Sequence, residues 1–473
     1  MPGPSTRKIA IVGAGAGGVM LASALAKPGP VQFDVSLVDR TPARGQAFGG
    51  APGLLLNTRA GAMSLDPCSP GGFVDWLNTY GPRAEGWSAE DFAPRRLYGD
   101  YLEARLASLS DRTPGLGSAR WLAGRVTAMA LEDGGWSLLL ASGERLQADA
   151  VVLATGPTRP RPLVFNGRAE VEAFVQDDPW DEAGLKSARA GGEVLIVGMG
   201  LSFADTAASL WRINPEIRVV AISRHGLAPR IHHPGGGGEP LFAGGYPRTA
   251  RELQTRLLKA SGLIEGDPEV RESRVEDLRR HGAGLWEALG PDERPMFVRH
   301  FRPYWDAERH RLPPELGETL RAAAAGGRLE LVRGRIAEAK AVRTGASARV
   351  ALLTHQGPRA LTVRRVINCT GPQGDPYRSG NPVLLDLLAQ GLISADPLGL
   401  GLRVNDASAA IGADGRVTPG LFALGALTQG QFFEITGAPE IRGQAHAVAA
   451  SLAALPPPPR PASAPRLSAA NVN

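Results

Sequence analysis

The apolar positions of this chain fall into a pattern that occurs twice. The first instance opens at "KIAIV" (Lys8–Val12), a short run apolar on consecutive positions, as expected of a strand buried on both faces of a parallel sheet. A glycine turn, "GAGAGG", follows. The stretch "VMLASALA" then has helical character, and "FDVSLVDR" returns as a second strand ending at Arg40. Together they make a βαβ unit of about thirty residues. The segments "FVDWL" and "YGDYLEARLASL" read as helices. The stretch from "RVTAMALEDGGW" to "VVLATG" reads as a meander of short strands closed by one parallel strand.

The second instance begins at "EVLIVGMGLSFADTAASL" (Glu193–Leu210) and runs to Arg224. After a mainly helical, polar stretch from Leu227 to Leu316, "RLELVRGRIAEAKAV" through "RRVINCTG" repeats the meander and its closing strand. The expected fold class is therefore α/β, with two Rossmann-like dinucleotide-binding domains, the second inserted into the first. The expected boundaries are 1–160 for the first domain, 161–370 for the inserted one with its helical insertion, and 371–455 for the return to the first. The Pro-rich "GPTRPRPL" marks the crossing between them. Residues 456–473, with "PPPPRPASAP", are too poor in apolar residues to join a core and are expected to be a disordered tail.

Composition narrows the field. The chain has 473 residues and a net charge of +5, carried mostly by scattered arginines without a lysine-rich block. That favours anionic small molecules over nucleic acid as partners. No apolar run reaches the roughly 18–20 residues that span a bilayer, and "MPGPSTRK" lacks the apolar core of a signal peptide, so no membrane partner and a cytoplasmic location are expected. The two cysteines, Cys68 and Cys369, lie far apart and outside any CxxC, which argues against a redox-active dithiol. His232 and His233 stand without a companion ligand cluster, so no metal is expected. The oligomeric state is left open.

The glycine turns carry the candidate chemistry. Gly13, Gly15 and Gly18 fit GxGxxG between a strand and a helix, and Asp39 ends the next strand. The first glycine permits the tight turn, the second lets backbone approach a pyrophosphate, and the third packs helix on strand. The helix N-terminus offers free N–H groups to the phosphates, and Asp39 offers its carboxylate to ribose hydroxyls. In the second unit Gly198 and Gly200 repeat the first two glycines, but Phe203 stands in the third place, so the first helical turn there must be shaped differently. Ser202 and Asp205 are candidate contacts. No acid ends the following strand; Ser223 and Arg224 do, and an arginine there favours a 2′-phosphate. FAD is expected in the first domain and NADPH in the second, with hydride passing between them.

The paired closing strands "VVLATG" and "VINCTG" resemble those of two-dinucleotide-binding-domain flavoproteins. "LLLNTRAGAMS", "FAPRRLYGDYL", "FRPYWDAERHR" and "GQFFEITGAPEIRGQA" resemble the FAD–NAD(P)-binding protein family, and the match spans nearly the whole chain apart from the tail. More distantly the sequence is similar to N-hydroxylating flavin monooxygenases, including enzymes that N-hydroxylate aspartate. The resemblance implies further FAD contacts at Asn57, Met63, Ser64, Thr155 and Gly156. It implies NADPH-dependent hydroxylation of a small amine or amino acid by O2, through a flavin C4a-hydroperoxide. One departure stands out: Ala426 replaces the aspartate that follows "ALG" in many relatives. The helix from about Pro439 is expected to aim its N-terminus at the flavin. No catalytic side chain is assigned. Arg299, Arg302 and Arg442 are the candidates for a substrate carboxylate, although a solvated helical face paired with Asp306 and Glu308 also accounts for the first two. Two other functions stay open: a dehydrogenase or reductase serving a quinone or protein acceptor, and a non-enzymatic flavin redox sensor.

Overall fold

The computed structural model describes residues 6–49, 53–110, 117–233, 242, 244–259, 268–342 and 347–456. Apart from Pro456, the expected tail lies outside the described residues. Strands β1 (Thr6–Val12) and β2 (Gln32–Asp39) flank helix α1 (Ala16–Leu25), and β3 (Ser118–Ala123) follows. Strands β4 (Val126–Glu132), β5 (Gly135–Leu140) and β6 (Arg145–Ala148) form an antiparallel meander, and β7 (Ala150–Leu153) closes the unit. The inserted region holds β8 (Val175–Gln176), β9 (Glu193–Val197), helix α2 (Leu201–Ile213) and β10 (Arg218–Ser223). After several helices, including α3 (Arg302–Arg309), it continues with β11 (Leu329–Ala341), β12 (Ala348–Thr354), β13 (Gly357–Val363) and β14 (Arg365–Asn368). The chain ends with β15 (Ala409–Ile411), β16 (Val417–Ala423) and helix α4 (Ala438–Ala454).

Two main sheets result. The first runs β15–β16–β7–β1–β2–β3 and is parallel except for the β15 edge. The second runs β13–β12–β11–β10–β9–β14–β8; its β11–β13 end is antiparallel and the rest parallel. Strand order reverses between β1 and β7 in the first sheet and between β9 and β14 in the second. In doubly wound sheets that reversal opens a crevice at the carboxyl ends of the strands, where ligands bind.

Packing explains why the apolar runs are continuous. Ile9 and Ile11 face a core with α1 and α4, while Ala10 and Val12 face the meander and the helix Pro382–Ala389. The second sheet is likewise buried on both faces: Val194 and Ile196 pack under α2, and Leu195 packs toward β12 and β13. A separate aromatic cluster of Trp286, Phe297, Trp305 and Phe433 fastens the helical insertion to the C-terminal part of the chain. Phe433 stacks on Trp286 at 4.6 Å and holds a positive φ of 46°. A bulky residue in that region costs about 1–3 kcal/mol, which the surrounding ring contacts must offset. Among the described residues, no helix is long and apolar enough to cross a membrane.

Candidate active site

The two glycine turns are built alike. Gly13 donates its N–H to Val38 O at 2.9 Å, and Gly198 donates to Ile222 O at 2.8 Å. Ala154 N–H reaches Val12 O at 2.9 Å, and Cys369 N–H reaches Val197 O at 2.7 Å. Gly13 (φ 115°) and Gly198 (φ 100°) both have left-handed backbone, and a Cβ on either would collide with the carbonyl oxygen of Ala154 or Cys369 respectively. Glycine is required at both points because the turn presses against the closing strand across the switch point. At Gly200 an added Cβ would meet nothing within 4 Å, and at Gly15 it would only approach Gly45 Cα at 3.9 Å, so both present open backbone.

The third position differs as the sequence suggested. A Cβ on Gly18 would collide with Gly13 O, whereas Phe203 is accommodated and fully buried. The helix starts account for it. Val19 N–H bonds back four residues to Gly15 O at 3.0 Å, while Phe203 N–H bonds back three, to Gly200 O, at 3.1 Å. Asp39 accepts from Ala14 N–H at 2.9 Å and Arg40 N–H at 2.7 Å, which orients its carboxylate at the mouth of the first turn. An ionised carboxylate has about four lone-pair sites, so capacity remains for hydroxyl donors.

Both turns open onto one cleft of about 1980 Å³. Its walls include Gly13, Gly15, Asp39, Thr155 and Gly156 from the first domain, and Gly198, Gly200, Ser202, Ser223 and Arg224 from the second. Gly15–Gly17 and Gly200–Ser202 bring two helix N-termini to it, and Ala438 and Ile441 bring the start of α4. Helix N-termini carry unpaired N–H groups and partial positive charge suited to phosphates. At the end of β10, burial lowers His225 below the usual histidine pKa, and neighbouring Arg224 and Arg333 lower it further. Arg224 and Arg333 thus place positive charge at the end of β10. Ala426 lines the cleft, and Gln429 brings a polar side chain nearby on the same wall. The loop between them is fixed by buried Gln444, which accepts from Gly425 N–H at 2.8 Å and donates to Thr428 Oγ1 at 2.9 Å.

Several expected contacts stand elsewhere. Asp205 is not in the cleft wall: it is buried and paired with Arg95 of the first domain at 2.7 Å, so its carboxylate joins the domains. Arg442 is also outside the wall; its guanidinium donates to Ser64 O at 2.8 Å and Ala62 O at 3.3 Å, fixing that loop. Arg299 is exposed and does not line the cleft. Asn57 uses its carbonyl to bond His232 at 3.1 Å, and Met63 and Ser64 are buried behind the wall. Gly18 likewise packs rather than lines. Of the three candidate arginines, only Arg302 reaches the cleft.

In the sequence His310 belongs to an Arg- and His-rich stretch that could form an anion-binding wall and Asp306 is an ion-pair partner, but neither stands out there as a site residue. Both line the cleft beside Arg302. Arg302 Nε lies 3.4 Å from Asp306 Oδ2, and His310 Nε2 lies 3.6 Å from Asp306 Oδ1. Burial opposes His310 protonation, but Asp306, with Glu434 behind it, raises the imidazole above its usual pKa. Burial alone would raise Asp306, yet His310 and Arg302 hold it below the usual carboxylate range. The four-residue steps from Arg302 to Asp306 to His310 were the available signal, because such residues share one helix face.

Residues 10–158 match a family model described as FAD-NAD(P)-binding. No curated protein matches the chain. Among solved structures, the ornithine N-hydroxylase of Kutzneria sp. 744, determined with reduced FAD, NADP+ and L-ornithine, is 17% identical, with a TM-score of 0.60, covering 95% of this chain and 99% of that one. L-lysine 6-monooxygenase from Pseudomonas syringae is 17% identical, with a TM-score of 0.62 and coverage of 94% and 99%. The FAD-bound cadaverine monooxygenase of Erwinia amylovora is 14% identical, with a TM-score of 0.62 and coverage of 93% and 92%. At these identities the likeness is one of fold.

Proposed function

We propose that this chain is an FAD-dependent, NADPH-using monooxygenase that N-hydroxylates a small amine or amino acid, aspartate among the candidates. The observation that carries the reading is the pair of equivalent glycine turns opening onto one cleft. FAD fits the first turn, where open backbone at Gly15, the N-terminus of α1 and the oriented Asp39 meet. NADPH fits the second, where Gly200, Ser202, Ser223 and Arg224 line the wall. When bound and reduced, the flavin supplies the electrons that activate oxygen. The chain's own residues hold both dinucleotides, exclude water and place the substrate.

Arg302 suits a carboxylate-bearing substrate, since it lines the cleft over the ring of Phe433 with 29% of its side chain exposed. The similar structures named as an ornithine N-hydroxylase and an L-lysine 6-monooxygenase support an amino-acid amine as the candidate. The cysteines disfavour disulfide reduction. Cys369 lies buried against Thr206, and burial pushes its thiol up to about 12, so it is not a thiolate at neutral pH.

The test follows NADPH consumption by the flavin-loaded protein in air across a panel of small amines, including aspartate, scoring hydroxylated product against hydrogen peroxide. The expected result is hydroxylated amine close to the NADPH consumed for one substrate class. Product-free turnover that continues anaerobically with an artificial acceptor would replace this reading with the reductase.

A further inference from the structure

Helix α3 contributes Arg302, Asp306 and Ala307 to the cleft wall. On one side Trp305 Nε1 donates to Glu434 Oε1 at 2.6 Å and Arg309 pairs with Glu434 at 3.1 Å. On the other side Arg230 N–H reaches Ala307 O at 3.1 Å and Arg230 pairs with Glu308 at 3.0 Å. The helix is therefore fixed at both flanks, and Arg302, Asp306 and His310 are the charged residues it brings to the cleft wall. The Arg309–Glu434 pair is well buried, with Arg309 14% and Glu434 9% exposed at the side chain. Asp306 and His310 are 42% and 31% exposed, within reach of a bound molecule.

We propose that the Asp306–His310 pair is the proton acceptor for the substrate's ammonium group, with His310 taking the proton and Asp306 positioning the ring. The inference rests on the N-hydroxylation reading above. An amine reacts with an electrophilic oxygen through its nitrogen lone pair, and an ammonium has none. In the step, one N–H bond of R–NH3+ breaks, its electron pair stays on nitrogen, and the proton passes to the imidazole. The imidazolium faces Asp306 and returns the proton to solvent through the open cleft, so no further reactant is needed.

The geometry fits an amino acid. Arg302 and His310 stand on opposite oxygens of the same carboxylate, Oδ2 and Oδ1. Arg302 and His310 both line the cleft, so one amino acid could present its carboxylate to the guanidinium and its amine to the imidazole. The charged groups that face His310 are Asp306 and Arg309 on its own helix and Glu434 from the loop after Phe433. The two acids outweigh the one cation, and their influence brings the base nearer the pKa of the amine it serves, which improves proton transfer. Asp306 is the poorer acceptor because Arg302 and His310 keep it ionised.

The test uses flavin-loaded wild type, His310→Gln and Asp306→Asn. Anaerobic flavin reduction by NADPH is measured in both variants as well, so that a loss confined to hydroxylation is told apart from a loss of cofactor binding in the shared cleft. Amine hydroxylation by His310→Gln near pH 7.5 should fall about 100-fold, within the usual range for losing a general base. The loss should shrink as pH approaches the amine's own pKa, and added imidazole should restore part of it. Asp306→Asn should move the lower inflection of the pH profile downward. NMR titration of the His310 ring should place it above ordinary histidine in wild type and return it toward ordinary in Asp306→Asn. A productive wild type with an unchanged pH profile in His310→Gln would overturn this inference alone. So would an equal loss in flavin reduction, or a ring that titrates like an exposed histidine. A wild type that hydroxylates no amine would overturn the functional reading, and this inference with it.

Discussion

Gly13 and Gly198 do the same mechanical work on two sheets, and their substitution separates the two cofactors. Gly13→Ala forces a side chain into Ala154 O and should yield protein with little bound flavin. Gly198→Ala meets Cys369 O in the other domain; it should keep the flavin while NADPH reduction slows by about tenfold or more, at a cost of about 1–3 kcal/mol in strain. Flavin content and anaerobic reduction rates check both. The arginines divide similarly. Arg302→Ala should raise KM for a carboxylate-bearing substrate about 10- to 100-fold, the worth of a charged hydrogen bond. Arg442→Ala should leave that KM nearly unchanged and instead loosen flavin, because Arg442 holds Ala62 and Ser64. That Gly13, Gly15, Asp39, Gly198, Gly200 and Arg224 gather at strand ends was legible in the sequence, because that placement follows from local spacing. Asp205 and Arg442 were not, because spacing places a residue on an element without saying which distant group turns its side chain aside.

At the scale of elements, the βαβ units and the meander followed from apolar periodicity, since parallel strands buried on both faces read as continuous apolar runs. The contacts that bring elements from different parts of the chain together left no such trace. Asp205 of α2 meets Arg95 at the start of the helix Arg95–Ser108, with side chains 4% and 14% exposed. Burial pushes Asp205 above the usual carboxylate pKa, and Arg95 pulls it back. Asp205→Ala strands a buried guanidinium and should cost about 3–5 kcal/mol. Adding Arg95→Met should recover much of that loss, measured by thermal or denaturant unfolding. The Asp306–His310 pair gives α3 a pH window. His310, raised on folding, contributes stability that is full below about pH 6.5 and lost as pH rises through its folded value. Asp306, lowered on folding, contributes stability that is full above about pH 4 and lost as pH falls through its folded value. The melting-temperature gap between wild type and Asp306→Asn should therefore be widest between about pH 4 and 6.5 and narrow by pH 9.

For the whole molecule, we propose that one cleft brings a visiting nicotinamide against a resident flavin. The repeat of turn and closing strand announced two nucleotide sites. That they share a cavity depends on how the sheets face each other, fixed by the aromatic cluster around Phe433, by α3 and by the Asp205–Arg95 contact. The direct measurement is the flavin absorbance of the purified protein, mixed anaerobically with NADPH or with NADH. The expected result is a yellow protein whose flavin band bleaches on mixing, faster with NADPH, with that preference removed in Arg224→Ala. A protein that neither carries nor takes up FAD, or whose bound flavin stays oxidised in the presence of NADPH, would contradict it.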